Sequence, residues 1–493
     1  MEIKEAKNYV NGMWKKPENM GWLDVNNPAT GETIGKTPLS TRAEADSAVR
    51  TAFEAFREWK DVPVGRRVQP LYKLARLMRE NEEKIARVLT EEMGKSLPDA
   101  RAEMKRAIEN CEAACAMPLL QQGDNLVGAS LDIDGEVLLL PVGVFAMIAP
   151  FNFPAMVPFW FLPYALATGN TFVMKPSERV PFTMQIITEY IAESGFPPGV
   201  FGLVNGGPAV GEAFIENPLV KGVSMVGTSS VCRKIAAGCA QAGKRFQAMG
   251  SAKNHLVVMP DAEIDQAVRN MVTSCYGCAG QRCMASSVII AVGDKTHDAV
   301  CAKFIEASKN VIVADPLDPR FSGEEMLMGP VISIKSREFI CSMIETGVKE
   351  GARLALDGRK LEVRGCEKGY FVGPTVFTGV KPGMQIHSTE IFGPVVSIMK
   401  ADSLDSAIAL INGHRYGNGA SIYTRSGYFA RRFKLEAEAG MIGINVGIPA
   451  PVAALPFGGM KESQFADIKT QGKAIINFYT EQKIVTERYW PEF

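Results

Sequence analysis

The chain has 493 residues, 46% hydrophobic and 22% charged, with 54 basic and 54 acidic side chains. That length exceeds what one hydrophobic core serves and calls for two or three folding units, and the composition is ordinary for a soluble globular protein. Balanced charge supplies no field to gather nucleic acid or an anionic membrane, so small molecules and copies of the same chain are the expected partners.

The segment up to Ser40 alternates polar and apolar residues, with turn signals at Asn11-Gly12, Asn27-Pro28 and Thr30-Gly31; this predicts short strands and hairpins in a surface preamble. The opening MEIKEAKNYV has no apolar signal-peptide core, and ten cysteines at uneven spacings are not a disulfide framework, so a reducing, cytoplasmic setting is expected. From Arg42 to about Met117 strong helix formers carry apolar residues at three- and four-residue spacing, as in Leu71, Leu74, Ala75 and Met78. Breaks are predicted near Pro63-Gly65 and Pro98. Alternation returns from Asp124 to Pro141 and predicts a hairpin projecting from the body. No charged residue occurs from Val137 to Met174, which by length alone would admit a membrane span. Pro141, Pro150, Pro154, Pro158 and Pro163 interrupt that run, and Asn152 and Asn170 would lie unpaired in lipid, so buried strands, turns and a helix are expected there.

Strand-then-helix units follow at Val142–Ala149, Thr171–Met174, Gly199–Val204 and Gly222–Val226. A second series has strand candidates at Leu256–Met259, Val288–Val292, Val395–Met399, Ala420–Tyr423 and Met441–Asn445. Such alternation predicts an α/β protein with parallel sheets covered by helices on both faces. No repeat and no low-complexity segment is evident.

The chemistry centres on Cys278-Ala279-Gly280-Gln281-Arg282-Cys283-Met284-Ala285-Ser286-Ser287. Cys283 follows a glycine turn, is surrounded by small residues and precedes an apolar strand, a setting that can present its sulfur to a cleft; it is the nucleophile candidate, although free cysteine is more often a small core residue. Pro150-Phe151-Asn152-Phe153-Pro154 supplies an uncharged amide donor between rigid prolines, and a thiolate with a fixed amide donor can form and stabilise a tetrahedral oxyanion. Cys275 and Cys278 have C-x-x-C spacing, but no second pair or histidine lies near them in sequence; packed thiols one helical turn apart are preferred to a redox or zinc site, and no metal is expected. No G-x-G-x-x-G follows the first parallel strand. The nearest phosphate cradle is Gly227-Thr228-Ser229-Ser230 before a helix, whose alternative reading is a simple N-cap.

PFNFP, KPSER, AGQRC and TEIFGP, in this order and at these separations, resemble the aldehyde dehydrogenase superfamily from about Tyr9 to Tyr489. GQRCMA, AKNH, phenylalanine rather than tryptophan before Asn152, and the ending FYTEQKIVTERYW resemble its methylmalonate semialdehyde dehydrogenase branch. The resemblance implies two Rossmann-like α/β domains and a small β element for oligomerisation. It places an NAD-binding domain at 1–123 and 142–251, a catalytic domain at 252–460, and the bridging element at 124–141 and 461–493. The β-branched and aromatic stretch Ile475 to Tyr489 would pair across a subunit boundary, since a bare edge strand invites aggregation, and a homodimer or homotetramer is expected.

By the same resemblance, Lys175 and Glu178 hold the adenosine ribose, and a carboxylate there favours NAD over NADP by repelling a 2′-phosphate. Glu390 holds the nicotinamide ribose and Phe392 packs near its ring. Ala149, Phe151, Arg179, Gly227, Thr228 and Ser229 complete the cofactor site. Cys283 attacks the aldehyde, while the Asn152 amide and the Cys283 N–H hold the oxyanion; electropositive surroundings, including the nicotinamide, would lower the thiol pKa. Hydrolytic members carry a glutamate base in an E-L-G-G-K-type segment, where this chain has Met249-Gly250-Ser251-Ala252-Lys253. A thioether cannot take a proton from water, so coenzyme A is expected as the acyl acceptor, with a substitute carboxylate as the alternative. Arg106 and Arg282 are candidates to hold the substrate's carboxylate bidentately; a loop brace for Arg282 and a solvated helix position for Arg106 are the plainer readings. A hydrolytic aldehyde dehydrogenase and a non-catalytic dehydrogenase-like binding protein remain as alternatives, the latter disfavoured by the joint presence of Cys283, Asn152, Lys175, Glu178 and Glu390.

Overall fold

Two largely parallel sheets carry the chain in the computed structural model, which describes residues 4–18, 21–321, 326–447, 449 and 451–490. The extreme ends of the expected N-terminal and bridging units, 1–3 and 491–493, lie outside the described residues. In the first sheet Arg245–Met249, Val220–Val226, Val144–Ile148, Thr171–Lys175 and Phe201–Leu203 lie parallel in that order. The chain therefore starts at Val144–Ile148, builds outward through Thr171–Lys175 to Phe201–Leu203, and returns to build the other side. Its reversal point falls between Val144–Ile148 and Val220–Val226, and in such sheets ligands bind outside the carboxyl ends of the strands flanking that point.

Antiparallel strands close both edges of this sheet: Asn8–Val10 and Met13–Lys15 beyond Phe201–Leu203, and Gln464–Phe465 beyond Arg245–Met249. Two expectations change here. Asn8–Val10 is buried sheet edge rather than surface preamble, and Gln464–Phe465 joins the first sheet rather than the bridging element assigned to 461–493. Short strands satisfy their backbone groups on whichever edge the fold brings near, which alternation alone does not specify.

The second sheet orders Thr375–Thr378, Val395–Ala401, Ser286–Val292, Asn254–Val258, Gly419–Tyr423 and Met441–Ile444 in parallel, with Arg353–Leu356 antiparallel at its edge. All nine predicted strands appear within a few residues of their expected limits. Arg245–Met249, Arg353–Leu356 and Thr375–Thr378 were not expected, because each is short and none is a continuous apolar run.

The hairpin exists as Asn125–Ser130 and Ile133–Pro141. Thr480–Arg488 pairs with its inner strand from Thr480↔Pro141 to Arg488↔Ile133, so this terminal strand first pairs within its own chain and keeps one free edge. Ile476–Tyr479, expected as strand, is a helical turn. Along the helical region, Pro63 ends a break and leads into the short helix Val64–Arg67, and Pro98 sits in the first turn of the helix Leu97–Ala114, where its missing N–H costs nothing. Ser96 caps that helix, accepting the Asp99 N–H at 3.2 Å. Its apolar side (Ala100, Met104, Ala107, Cys111) packs into the core of the first sheet, leaving the adjacent face for the site. No helix among the described residues is long and apolar enough to cross a membrane.

Candidate active site

The helix Ile264–Tyr276 ends in a kink at which Cys278 and Ala279 adopt left-handed φ of 52° and 54°. Left-handed non-glycine residues cost roughly 1–2 kcal/mol each, so neighbouring contacts must hold this turn. Cys278 donates its N–H to Asp99 Oδ2 at 3.2 Å, Gln281 donates its N–H to Cys278 O at 3.0 Å, and Ile332 N–H donates to Gln281 Oε1 at 2.9 Å. At Gly280 (φ 73°) a Cβ would lie 2.3 Å from Gly393 O, so only glycine lets the cysteine loop meet the Glu390–Gly393 segment. The carbonyl of Cys283 accepts from Asn254 Nδ2 and Asn418 Nδ2, both at 2.8 Å. These asparagines were not singled out as site residues from the sequence. Asn254 lies within the AKNH motif, but nothing local to Asn418 indicates that it reaches Cys283.

Cys283 is half-buried and forms part of the wall of two adjoining cavities. One is bordered by Ala252, Asn254, Glu390 and Phe392, the other by Asp99, Glu103, Arg106, Phe153, Trp160 and Arg282. Asn152 is buried and donates Nδ2 to Gln281 O at 2.9 Å, which places the amide against the cysteine loop with a second N–H to offer. Burial, reinforced by the Glu390 carboxylate, pushes the Cys283 thiol up to about 12, against the pull of the Cys283 and Met284 N–H groups and the Arg282 charge. The protein alone therefore keeps the thiol protonated, in contrast to the lowered pKa expected of electropositive surroundings.

The other predicted residues fall as follows. Ala149 N–H donates to Lys175 O at 2.9 Å, joining the carboxyl ends of two central strands. Lys175 Nζ lies 3.1 Å from Glu178 Oε2; burial would raise this carboxyl, but the Lys175 charge and hydrogen bonds hold it below the usual range. Arg179 is exposed. Gly227 and Thr228 lead into the helix Ser229–Gln241 at the reversal point of the sheet. Ser229 turns inward, its Oγ donating to Glu462 O at 2.6 Å and accepting Ser251 N–H at 2.9 Å, so its hydroxyl does not face the helix mouth. Phe151 and Phe392 meet edge to face with centroids 5.9 Å apart, bringing two distant motifs together. Glu390 Oε1 accepts Ala252 N–H at 2.8 Å, and burial raises its carboxyl above the ordinary range. Met249 is buried at the end of its strand and offers no proton acceptor on its side chain.

Arg282 is held by Asp99 and by Cys278 Sγ, the latter at 3.3 Å from Nε, so it braces the loop and borders the cleft as well. Arg106 pairs with Glu109 at 2.6 Å and borders the same cleft. All ten cysteines are free. Cys275 donates to Ser286 O at 2.7 Å while Cys278 lies by Asp99, so the C-x-x-C thiols bond apart. No group of three or more His, Cys, Asp or Glu among the described residues could hold a metal ion.

Beneath the Glu390 loop, His255, His387 and His414 form a buried cluster with ring centroids 5.2–5.4 Å apart. His414 Nδ1 accepts the Tyr416 N–H at 3.1 Å, and His255 Nε2 lies 3.2 Å from His387 Nε2. Burial, reinforced by Lys253, lowers all three, His387 and His414 to about 4; neighbouring imidazoles add to this at His255 and His387, and the Arg415 charge at His414. Each depressed imidazole contributes stability that is present above the unfolded value near 6.5 and lost as pH falls through its folded value. The melting temperature is therefore expected to fall between about pH 6.5 and 4, each histidine contributing up to about 1.4 kcal/mol per pH unit. Thermal melts of wild type and His414→Gln across that range check this; an equally steep acid slope in the variant would remove His414 from the cause.

The model of the aldehyde dehydrogenase family matches residues 14–485. A Geobacillus kaustophilus (strain HTA426) protein named malonate-semialdehyde dehydrogenase 3 is 44% identical over 488 residues, covering 99% of each chain. A Pseudomonas aeruginosa malonate-semialdehyde dehydrogenase is 43% identical, covering 95% of this chain and 93% of its own. Among solved structures, one from Sinorhizobium meliloti 1021 in complex with NAD, whose protein carries a provisional methylmalonate-semialdehyde dehydrogenase name, superimposes with TM-score 0.97 at 37% identity, covering 100% of this chain and 99% of that one. A methylmalonate-semialdehyde dehydrogenase from Oceanimonas doudoroffii gives TM-score 0.96 at 38% identity, with the same coverage. Both the full-length match and the meeting of the PFNFP and TEIFGP segments with the cysteine loop lead to one conclusion: this chain belongs to the aldehyde dehydrogenase family.

Proposed function

We propose that this enzyme oxidises a short carboxylated semialdehyde of the malonate or methylmalonate type with NAD and transfers the acyl group to coenzyme A, with loss of CO₂. The observation that carries this reading is the cleft in which Arg106 and Arg282 share a wall with Cys283. The names of the relatives agree with it. The fold suits the dinucleotide: Lys175 and Glu178 offer a donor and an acceptor for vicinal hydroxyls, and the Gly227-Thr228 turn offers a helix N-terminus to a diphosphate. Glu390, Phe392, Phe151 and Ala149 border the nicotinamide end in this reading, with Arg179 at the adenosine rim and Ser229 acting through the turn rather than through its hydroxyl. When bound, NAD supplies the hydride acceptor.

The chain's own residues account for the rest. Cys283 adds its sulfur to the aldehyde carbon, its proton passing to solvent water, and the Asn152 amide and the Cys283 N–H hold the resulting oxyanion. Departure of hydride leaves a thioester on Cys283. With Met249 where a base would stand, the CoA thiol attacks that thioester, its proton passing to the departing Cys283 sulfur. A carboxylate β to the acyl carbonyl has an electron sink, which permits loss of CO₂ and an acetyl- or propionyl-CoA product. We assign the first sheet and its helices to cofactor binding and the second to catalysis. The hairpin with Thr480–Arg488 is the oligomerisation element of a dimer or tetramer, since its two outer strands and its turn expose Leu126, Ile484 and Leu131. A cytoplasmic setting follows from the free thiols.

NADH formation from malonate semialdehyde and from propanal, with and without CoA, tests this reading. Wild type is expected to prefer the carboxylated substrate and to slow sharply without CoA. Arg106→Ala and Arg282→Ala should each lower kcat/KM for malonate semialdehyde by about 10- to 100-fold, as expected for losing a hydrogen bond to a charged group, and change propanal far less. Equal effects on both aldehydes would remove the clamp, and undiminished turnover without CoA would make the enzyme hydrolytic.

A further inference from the structure

The helix Leu97–Ala114 turns Asp99, Glu103 and Arg106 towards the cleft that holds Cys283. Spacings of four and three residues place them on one helix face. Arg106 meets the cleft itself, whereas the two carboxylates reach past it to other groups.

Asp99 holds Arg282. Its Oδ1 takes Arg282 Nη2, and its Oδ2 accepts the Cys278 N–H at 3.2 Å. Cys278 Sγ accepts Arg282 Nε at 3.3 Å. Gly277 makes room for the guanidinium, because a Cβ there would lie 2.4 Å from Arg282 Cζ. Arg282 is thus fixed at Nε and Nη2, and Nη1 has no hydrogen-bond partner among the described residues.

Glu103 acts with Lys95 on the other half of the site. Lys95 Nζ donates to Glu103 Oε2 and to Asn152 O, both at 2.6 Å, and lies 3.8 Å from the centroid of the Phe153 ring. Glu103 Oε1 accepts the N–H groups of Ala155 and Met156 at 2.8 and 3.0 Å. Both charged side chains are wholly buried. An apolar pair would close a helix against a turn without the desolvation penalty of two ions, so stability is a poor reason for this one. What the charges add is direction: the backbone from Asn152 to Met156 is held at its carbonyl and at two amides, and the Asn152 side chain then meets Gln281 O.

We infer that Asp99 and the Lys95–Glu103 pair are positioning residues for separate halves of the reaction, Asp99 setting Arg282 for the substrate carboxylate and Lys95–Glu103 setting Asn152 for the oxyanion. The Asp99 half rests on the carboxylated-substrate reading above; the other half needs only an aldehyde. Steady-state kinetics with NAD and CoA on malonate semialdehyde and propanal test both halves, using Asp99→Asn, Glu103→Gln and the pair Lys95→Met/Glu103→Gln. Asp99→Asn should raise KM for malonate semialdehyde about tenfold and shift propanal by less than about threefold, as expected for loosening a charged hydrogen bond to one substrate alone. The paired variant should lower kcat about tenfold for both aldehydes at little change in KM, and should cause no further loss in an Asn152→Ala background. Glu103→Gln keeps the shape and the N–H acceptor, so it gives the same kcat reading if the paired variant does not fold. Equal shifts for both aldehydes in Asp99→Asn overturn the first half, and a full further loss in the Asn152→Ala background overturns the second. A wild type indifferent to the substrate carboxylate removes the substrate reading and the Asp99 half with it, while the kcat comparison still decides the Lys95–Glu103 half.

Discussion

Cys283→Ala is expected to abolish NADH formation from every aldehyde, by about 10⁴-fold or more, as for loss of a covalent nucleophile. NAD affinity should stay near wild type, because the predicted adenosine-ribose and diphosphate contacts lie on the first sheet. Losing one half-buried sulfur should cost only about 1 kcal/mol of stability. The alternative nucleophile is Cys278, but its sulfur accepts from Arg282 and lies 3.5 Å from Asp99, is nearly fully buried, and borders neither cavity. Substantial turnover in Cys283→Ala would nonetheless move the chemistry there. Because burial and Glu390 hold the Cys283 thiol near 12, alkylation of the free protein by iodoacetamide should be slow at pH 7 and climb steadily above pH 9. A rate already at its plateau at pH 7 would contradict that electrostatic picture.

Asn152→Ala should lower kcat by about 10²–10³, or about 3–4 kcal/mol, if its amide stabilises the oxyanion. One N–H of that amide is taken by Gln281 O, so the variant also leaves this carbonyl short of a partner in a buried place. That second effect is structural and would appear in the melting temperature, whereas the oxyanion effect appears in kcat at unchanged NAD affinity. Measuring both separates them: a variant that melts earlier but turns over normally would make Asn152 a brace for the cysteine loop and nothing more.

Apolar runs bounded by turn residues were enough to locate nine strands, since each is a continuous or alternating buried segment that any parallel sheet would use. The order of those strands was not legible, because sheet order depends on which crossovers pack, a property of the whole chain. Arg245–Met249 illustrates this: RFQAM is unremarkable alone, yet it completes the reversal beside Val220–Val226. The same contrast holds at the site. Cys283, Asn152, Lys175, Glu178, Glu390 and Phe392 stand in motifs whose local turns already mark them. The Asn254 and Asn418 amides on Cys283 O, and Lys95 and Glu103 beneath Asn152, bear on the site only through contacts spanning up to 135 residues. Residue chemistry along the chain thus determined the family and picked out the candidates for nucleophile and oxyanion donor. Tertiary structure alone decided that burial and Glu390 keep the free thiol protonated, and that Arg282 is already engaged by Asp99 when it faces the cleft. Desolvation and through-space charge arise only when segments distant in sequence are packed together, and no local pattern encodes them.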